Sequence, residues 1–232
     1  MSLLRVVCGI LSVLLVISLV GALYAGIALT IITDYDFYMS EFEKNGIYGN
    51  FGDKSQPPLL AQGLVSYFKD GSNLPPDIPQ FDISESLHLR DVKLIVLRLR
   101  SVFYFCSFLM VANLVSMIVF FRGNLARNLH KLLLFSGISI ISIDIILALL
   151  SLSFSTTFIL FHKIFFPQGN WQFPAESTLI RLFPQQFFLD AFLRIVLRAG
   201  FFGLLLLIMG ILLSLIRKNY KIPLQIRRYG QT

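Results

Sequence analysis

The chain has 232 residues, 56% of them hydrophobic and 14% charged, and a mean hydropathy of +0.74, which is too apolar for a water-soluble domain to hide inside itself. Its formal net charge is +7, and the basic residues lie beside apolar runs. The basic tail follows a membrane helix directly and lacks interleaved aromatics, which argues for topology and membrane lipid contact and against nucleic acid.

Four apolar runs can be read in chain order: Val6 to Ile32, Ser101 to Phe121, Leu132 to Phe161 and Ala199 to Ile216. A helix needs roughly 20 apolar residues to cross the hydrocarbon core, and inside lipid the backbone must bond within its own segment, so each run reads as a spanning helix. The first, assigned to 1–33, is about twice the usual h-region of a secretory signal and is expected to be a retained anchor.

Residues 34–85 carry most of the ten acids between Asp34 and Asp91, against Lys44, Lys54, Lys69 and Arg90. Arg5, the link 122–131 (Arg122, Arg127, Lys131) and the tail 217–232 (Arg217, Lys218, Lys221, Arg227, Arg228) are basic. By the positive-inside rule the N- and C-termini and this link are cytoplasmic, and 34–85 is an outer loop. Glycines and prolines at 46, 49, 52, 57, 58, 71, 75, 76 and 79 leave room there for short helices only. One is expected around Leu59 to Phe68, stopping at Asp70-Gly71.

Helix 2 (86–121) is an outer extension followed by a span, with Ser84 or Ser86 as N-cap. Helix 3 covers 132–161, with Asp144 at mid-span, where a hydrogen bond to a neighbouring helix and a functional role compete. The second outer loop is 162–183. Helix 4 (184–216) again has an outer extension, with Asp190, Arg194 and Arg198 as a polar stripe facing the bundle or the cap. The fold expected is therefore an all-α integral membrane protein: four transmembrane helices and a small extracytoplasmic cap formed by the two outer loops. Cys8 and Cys106 fall toward opposite membrane faces and are expected to stay unpaired.

This topology brings His88 and His162 to the same membrane depth on the outer side. Around His88 stands H-L-R-D-V-K, with Asp91 at i+3 on the same helical face, placed to orient the imidazole and so favour His88 as a base. Around His162 stands F-H-K-I-F-F-P-Q-G-N-W-Q-F, which contains the only tryptophan, Trp171. Three readings compete: two hydrogen-bonded cap residues, a metal site, or general acid and base catalysis at the membrane surface. A metal site lacks any short-spaced ligand motif, so no metal is expected. No G-x-S-x-G is present to mark a serine nucleophile. A transporter is opposed by the lack of paired, Gly/Pro-broken helices.

With H-L-R-D-V-K leading into span 2, and F-H-K-I-F-F, N-W-Q-F and L-F-P-Q-Q-F-F between spans 3 and 4, the chain resembles the bacterial lipoprotein intramolecular transacylases. The likeness covers most of the chain, and the family's two functional histidines match His88 and His162. It implies a multi-pass enzyme of the bacterial plasma membrane with its site on the outer face. That enzyme moves the sn-2 acyl chain of a diacylglyceryl-modified lipoprotein onto the α-amine of its N-terminal cysteine, giving a lyso-form lipoprotein. No cofactor is expected, because ester becomes amide and no nucleotide motif is present. Asp91, Lys93, Asn170 and Trp171 are candidates for orienting the histidines or donating to an oxyanion. Phe165, Phe166, Phe187 and Phe188 are candidates for walling in the substrate. The alternative is a non-enzymatic accessory or scaffold protein that binds a partner through its cap.

Overall fold

The computed structural model describes residues 3–69 and 80–229. The described residues form helices α1 (Leu3–Ile32), α2 (Tyr35–Lys44), α3 (Gln56–Lys69), α4 (Ile83–Ser151), α5 (Phe154–Phe165), α6 (Thr178–Leu182) and α7 (Gln185–Tyr229), with a 3-10 turn at Ile47–Asn50. Among the described residues, four segments are long and apolar enough to cross a membrane: Arg5–Ile32, Ile83–Phe120, Arg127–Ser151 and Gln185–Lys218. The chain divides into two compact units, one of Met1–Leu23, Phe103–Ile145 and Arg198–Thr232, the other of Tyr24–Val102 and Ile146–Leu197.

In the first unit, Met117 and Leu132 share a buried cluster with Cys8 and Leu15. A straight helix would hold residues fifteen apart about 22 Å from each other, so the helical backbone of α4 doubles back between its two spans. The third and fourth spans meet through glycines. A Cβ on Gly203 would lie 2.8 Å from Ile140, one on Gly210 2.8 Å from Leu134, and one on Gly137 2.6 Å from Leu207. Apolar side chains gain little by leaving lipid for one another, so close backbone approach at small residues is what holds such helices together. Asp144 is buried in this unit, its carboxylate 3.0 Å from where a Cβ on Gly200 would stand. Cys8 and Cys106 are both free thiols.

The second unit carries the polar segments. Besides the short helix that the sequence locates in the outer loop at Leu59–Phe68, a second lies upstream, where Asp34 caps it by accepting from the Phe37 N–H at 3.2 Å. That helix, α2, buries Phe37, Tyr38 and Phe42 against Phe183 and Phe187, with ring centroids 5.3 to 6.2 Å apart. The helix expected at Leu59–Phe68 is α3, and its expected stop at Asp70-Gly71, with the glycine and prolines at 71, 75, 76 and 79, lies outside the described residues.

The N-cap of α4 is Asp82 rather than Ser84 or Ser86. Asp82 accepts from the Glu85 N–H at 2.8 Å while Glu85 accepts from the Asp82 N–H at 2.9 Å, which satisfies two helix-end donors reciprocally. The other Glu85 oxygen accepts the Leu179 N–H at 2.8 Å, tying α6 to the first turn of α4. The apolar stretch read as one helix over 132–161 is broken at Leu152 and Ser153, and α5 starts afresh at Phe154. Thr157 Oγ1 donates to the Leu150 carbonyl across this corner at 2.8 Å, supplying one of the carbonyls that the interruption frees.

Candidate functional site: a histidine pair under an aromatic loop

His88 lies in the second turn of α4 and His162 in the last turn of α5, and both are 8% exposed. Their ring centroids are 6.1 Å apart and their planes only 22° from parallel. Phe166, 2% exposed, touches both rings, with centroids 4.7 Å from His88 and 5.5 Å from His162. Two residues 74 positions apart in sequence therefore share one aromatic enclosure, completed by Phe173 against His88 at 5.5 Å and Trp171 against His162 at 4.8 Å.

The two imidazoles differ in their hydrogen bonds. His162 Nδ1 lies 2.8 Å from the Phe158 carbonyl oxygen, one helical turn back, and can only donate to it. That bond selects the tautomer with the proton on Nδ1 and leaves the Nε2 lone pair available. Burial holds the His162 imidazole below its ordinary 6.5, with the Phe158 bond opposing the shift. His88 Nδ1 is buried and has no hydrogen-bond partner among the described residues.

The residues expected to support the pair are differently employed. Asp91 does not bond to His88. Its Oδ2 accepts from Asn170 Nδ2 at 2.7 Å and Gln168 Nε2 at 2.9 Å, because the loop after α5 folds back over α4 and presents two amides to the carboxylate. Asn170 therefore has a donor committed to Asp91, and its Oδ1 is buried and unpartnered among the described residues.

Lys93 is engaged with α3. Fully buried, it donates to the Tyr67 carbonyl and sits 4.7 Å over the Tyr67 ring. Arg100, two turns on, donates to the Phe68 carbonyl at 2.8 Å. Two cations of α4 thus serve the last carbonyls of α3, where the helix dipole is negative.

Of the four phenylalanines, Phe166 lines the histidine pair. Phe165 is 48% exposed and stacks on Phe161 at 4.7 Å. Phe188 reaches the pair through Phe158, whose ring lies 5.3 Å from Phe188 and 4.2 Å from His162. Phe187 is buried with α2, in the cap core. Sequence reasoning missed Phe158, Gln168 and Phe173. The i−4 relation of Phe158 to His162 was visible; the folding back of the loop was not.

A polar knot closes the other side of this unit. Asp190 and Lys44 pair at 2.7 Å, Gln186 donates to Asp190 at 3.1 Å, and Arg194 stacks over Phe37 at 4.5 Å. Glu41, buried beside them, has its carboxyl raised above the ordinary 4.5, first by burial and then by its contact with Asp190. Two of the three residues of the expected polar stripe on helix 4 thus face the cap.

No group of three or more potential metal ligands occurs among the described residues.

Comparison with known proteins gives the family and the fold. Residues 10–188 match the family model described as "Lipoprotein intramolecular transacylase Lit". The structure of the membrane-integral transacylase Lit from Bacillus cereus superposes with a TM-score of 0.81 at 21% identity, covering 91% of this chain and 98% of that one. A variant of that protein with one histidine replaced by alanine superposes with a TM-score of 0.75 at 19% identity, covering 91% and 96%. An uncharacterized protein of Aquifex aeolicus (strain VF5) is 30% identical over 133 residues, and the match spans 57% of this chain and 57% of that protein. With four apolar helices, the same fold, and a family match running from the first span into the start of α7, this chain belongs to the lipoprotein intramolecular transacylase family.

Proposed function

We propose that the protein transfers the sn-2 acyl chain of a diacylglyceryl-modified bacterial lipoprotein to the α-amine of the same lipoprotein's N-terminal cysteine, with His88 and His162 moving the protons. Family membership supports the reaction class, and the 6.1 Å approach of two buried imidazoles supports the assignment of the pair. The pair lies on the outer face of the plasma membrane and both termini are cytoplasmic. The support is the sequence pattern: acids dominate 34–85, while Arg122, Arg127, Lys131 and Arg217 crowd the opposite helix ends.

The proton count defines the two roles. An α-ammonium, pKa roughly 8, has three protons, and the product amide nitrogen has one. As the C–N bond forms and the bond from the carbonyl carbon to the glyceryl oxygen breaks, one released proton ends on that oxygen and the other goes to solvent. His162, with its Nε2 lone pair free and its imidazole held neutral, takes a proton from the attacking nitrogen. His88, whose Nδ1 is buried without a partner among the described residues, accepts the other, and as imidazolium returns it to the leaving oxygen. This reverses the base expected from sequence, because Asp91 is occupied elsewhere.

The Trp171 indole, its ring 4.8 Å from His162, brings an N–H donor beside the pair and is the assigned oxyanion donor. Phe166 excludes water that would hydrolyse the ester, and exposed Phe165 and Phe188 offer surface to the acyl chains. Donor and acceptor belong to one molecule, so holding it folded is worth on the order of 7 to 11 kcal/mol in favourable systems.

Mass spectrometry of the N-terminal peptide of a test lipoprotein checks the proposal. Wild type yields the N-acyl, lyso product, and His88→Ala and His162→Ala leave diacylglyceryl-cysteine with a free amine. Full transfer by both variants overturns the assignment. A folded wild-type protein that makes no N-acyl product on any diacylglyceryl-lipoprotein favours the accessory role.

A further inference from the structure

We infer that Asp91 is a positioning residue that acts through the loop, clamping residues 166–171 onto α4 and so seating the Trp171 indole against His162. The inference rests on the proposed role of His162 and adds a device that sets it.

The carboxylate stands one turn beyond His88 on α4. Its Oδ2 receives two amide donors from one short loop, Gln168 at 2.9 Å and Asn170 at 2.7 Å. Between these two residues the chain turns at Gly169, whose φ of 81° suits a residue without a Cβ. The Gly169 N–H bonds back to the Phe166 carbonyl at 3.1 Å. The loop is therefore closed on itself at one end and anchored to a charge at the other. Bonds to an ionised acceptor are about twice as strong as neutral ones.

The residues on either side of this anchored turn are the two that frame His162. Phe166 precedes it with its ring 5.5 Å from His162, and Trp171 follows it at 4.8 Å with a tilt of 39°. The bond to Asp91 also fixes which end of the Asn170 amide is which, since only Nδ2 can donate to a carboxylate. Asp91 makes no hydrogen bond to His88 among the described residues, and its Oδ2 is taken by Gln168 and Asn170. The loop is therefore its main route to the site.

Trp171 is the only tryptophan in the chain, so its emission is an unmixed signal. A protonated imidazole against an indole quenches it, and acid titration of Trp171 fluorescence reports contact with His162. The experiment compares detergent-solubilised full-length wild type with Asp91→Ala, Asn170→Asp and the exchange Asp91→Asn/Asn170→Asp. Asn170→Asp sets two carboxylates against each other. The exchange restores an amide-to-carboxylate bond in reverse and leaves an amide oxygen at position 91 to accept from Gln168.

The single variants are expected to lose most of the acid quenching and to lower kcat roughly 100-fold, the size of effect that an ångström-scale misplacement produces. KM and thermal unfolding should change little, and the exchange should recover both quenching and kcat. Retained quenching with lost activity overturns the inference, because Asp91 then acts directly. Unchanged kcat in Asp91→Ala overturns it as well, and so does an exchange that fails to recover either signal while remaining folded. The quenching experiment needs no turnover. If no protein, wild type included, forms N-acyl product while quenching follows the clamp as described, the proposed reaction fails and the clamp stands.

Discussion

Glu85 and His88 are neighbours, one turn apart on the same helix, and both are buried polar groups. Yet they stand in opposite conditions. Both carboxylate oxygens of Glu85 accept backbone N–H groups, from Asp82 and Leu179. His88 has a buried ring nitrogen with no partner among the described residues. A buried polar atom left unpaired costs about 1–3 kcal/mol, and such atoms are uncommon enough that each calls for a reason. The contrast separates two conditions of buried polarity in this unit: where every atom is paired the group holds elements together, and the one left open is the one that the proposed function offers to a substrate.

The largest expected effect that tests this division is on rate. His88→Leu should reduce transacylation on the order of 10²–10⁴-fold, the usual contribution of a general acid or base, without lowering the thermal unfolding temperature, because an unsatisfied nitrogen is exchanged for an apolar group. A marked fall in that temperature would show that His88 is structural. Glu85→Ala should do the reverse. It frees the Leu179 and Asp82 N–H groups and should cost about 3 kcal/mol in stability, read by thermal unfolding in detergent, with activity per folded molecule retained. Lys93→Met removes the cation that holds the Tyr67 carbonyl and should cost about 1–3 kcal/mol. If it instead lowers kcat with stability intact, Lys93 belongs to the chemistry after all.

Two smaller effects concern pH. Burial holds the His162 imidazole below 6.5. An NMR titration of the histidine rings in the substrate-free protein should therefore place His162 below that value, and a midpoint above it would show that burial does not hold the ring neutral. Glu41 titrates in the opposite sense. Its carboxyl is raised above 4.5, so its contribution to stability is full below that value and is lost as pH climbs through the raised one. Glu41→Gln, which keeps the uncharged shape, should flatten the dependence of unfolding temperature on pH in that window. An unaltered dependence would mean that Glu41 does not hold the proton.

What the sequence could show follows from the range of the interactions involved. The four spans are continuous apolar runs, legible residue by residue, and the common depth of His88 and His162 follows from counting spans. The α2 cap was within reach, since Asp34 precedes Phe37, Tyr38 and Phe42, but glycines and prolines farther along drew the whole region toward turns. The interruption at Leu152-Ser153 leaves no trace in S-L-S-F-S, whose residues are all compatible with a continuous helix. Least legible were the pairings of Asp91 with Asn170 and Lys93 with Tyr67, which join residues 79 and 26 positions apart. Asp91 at i+3 from His88 looked like its local partner, and a tertiary bond took precedence over the helical spacing.

The corner at Leu152-Ser153 also sets how His162 is aimed. In an unbroken helix the imidazole would point wherever about 100° per residue of the third span left it. Here α5 restarts at Phe154 and is pinned to the last turn of α4 by the bond from Thr157 Oγ1 to the Leu150 carbonyl. The direction of His162 is thus fixed by two turns of local structure on the near side of the corner.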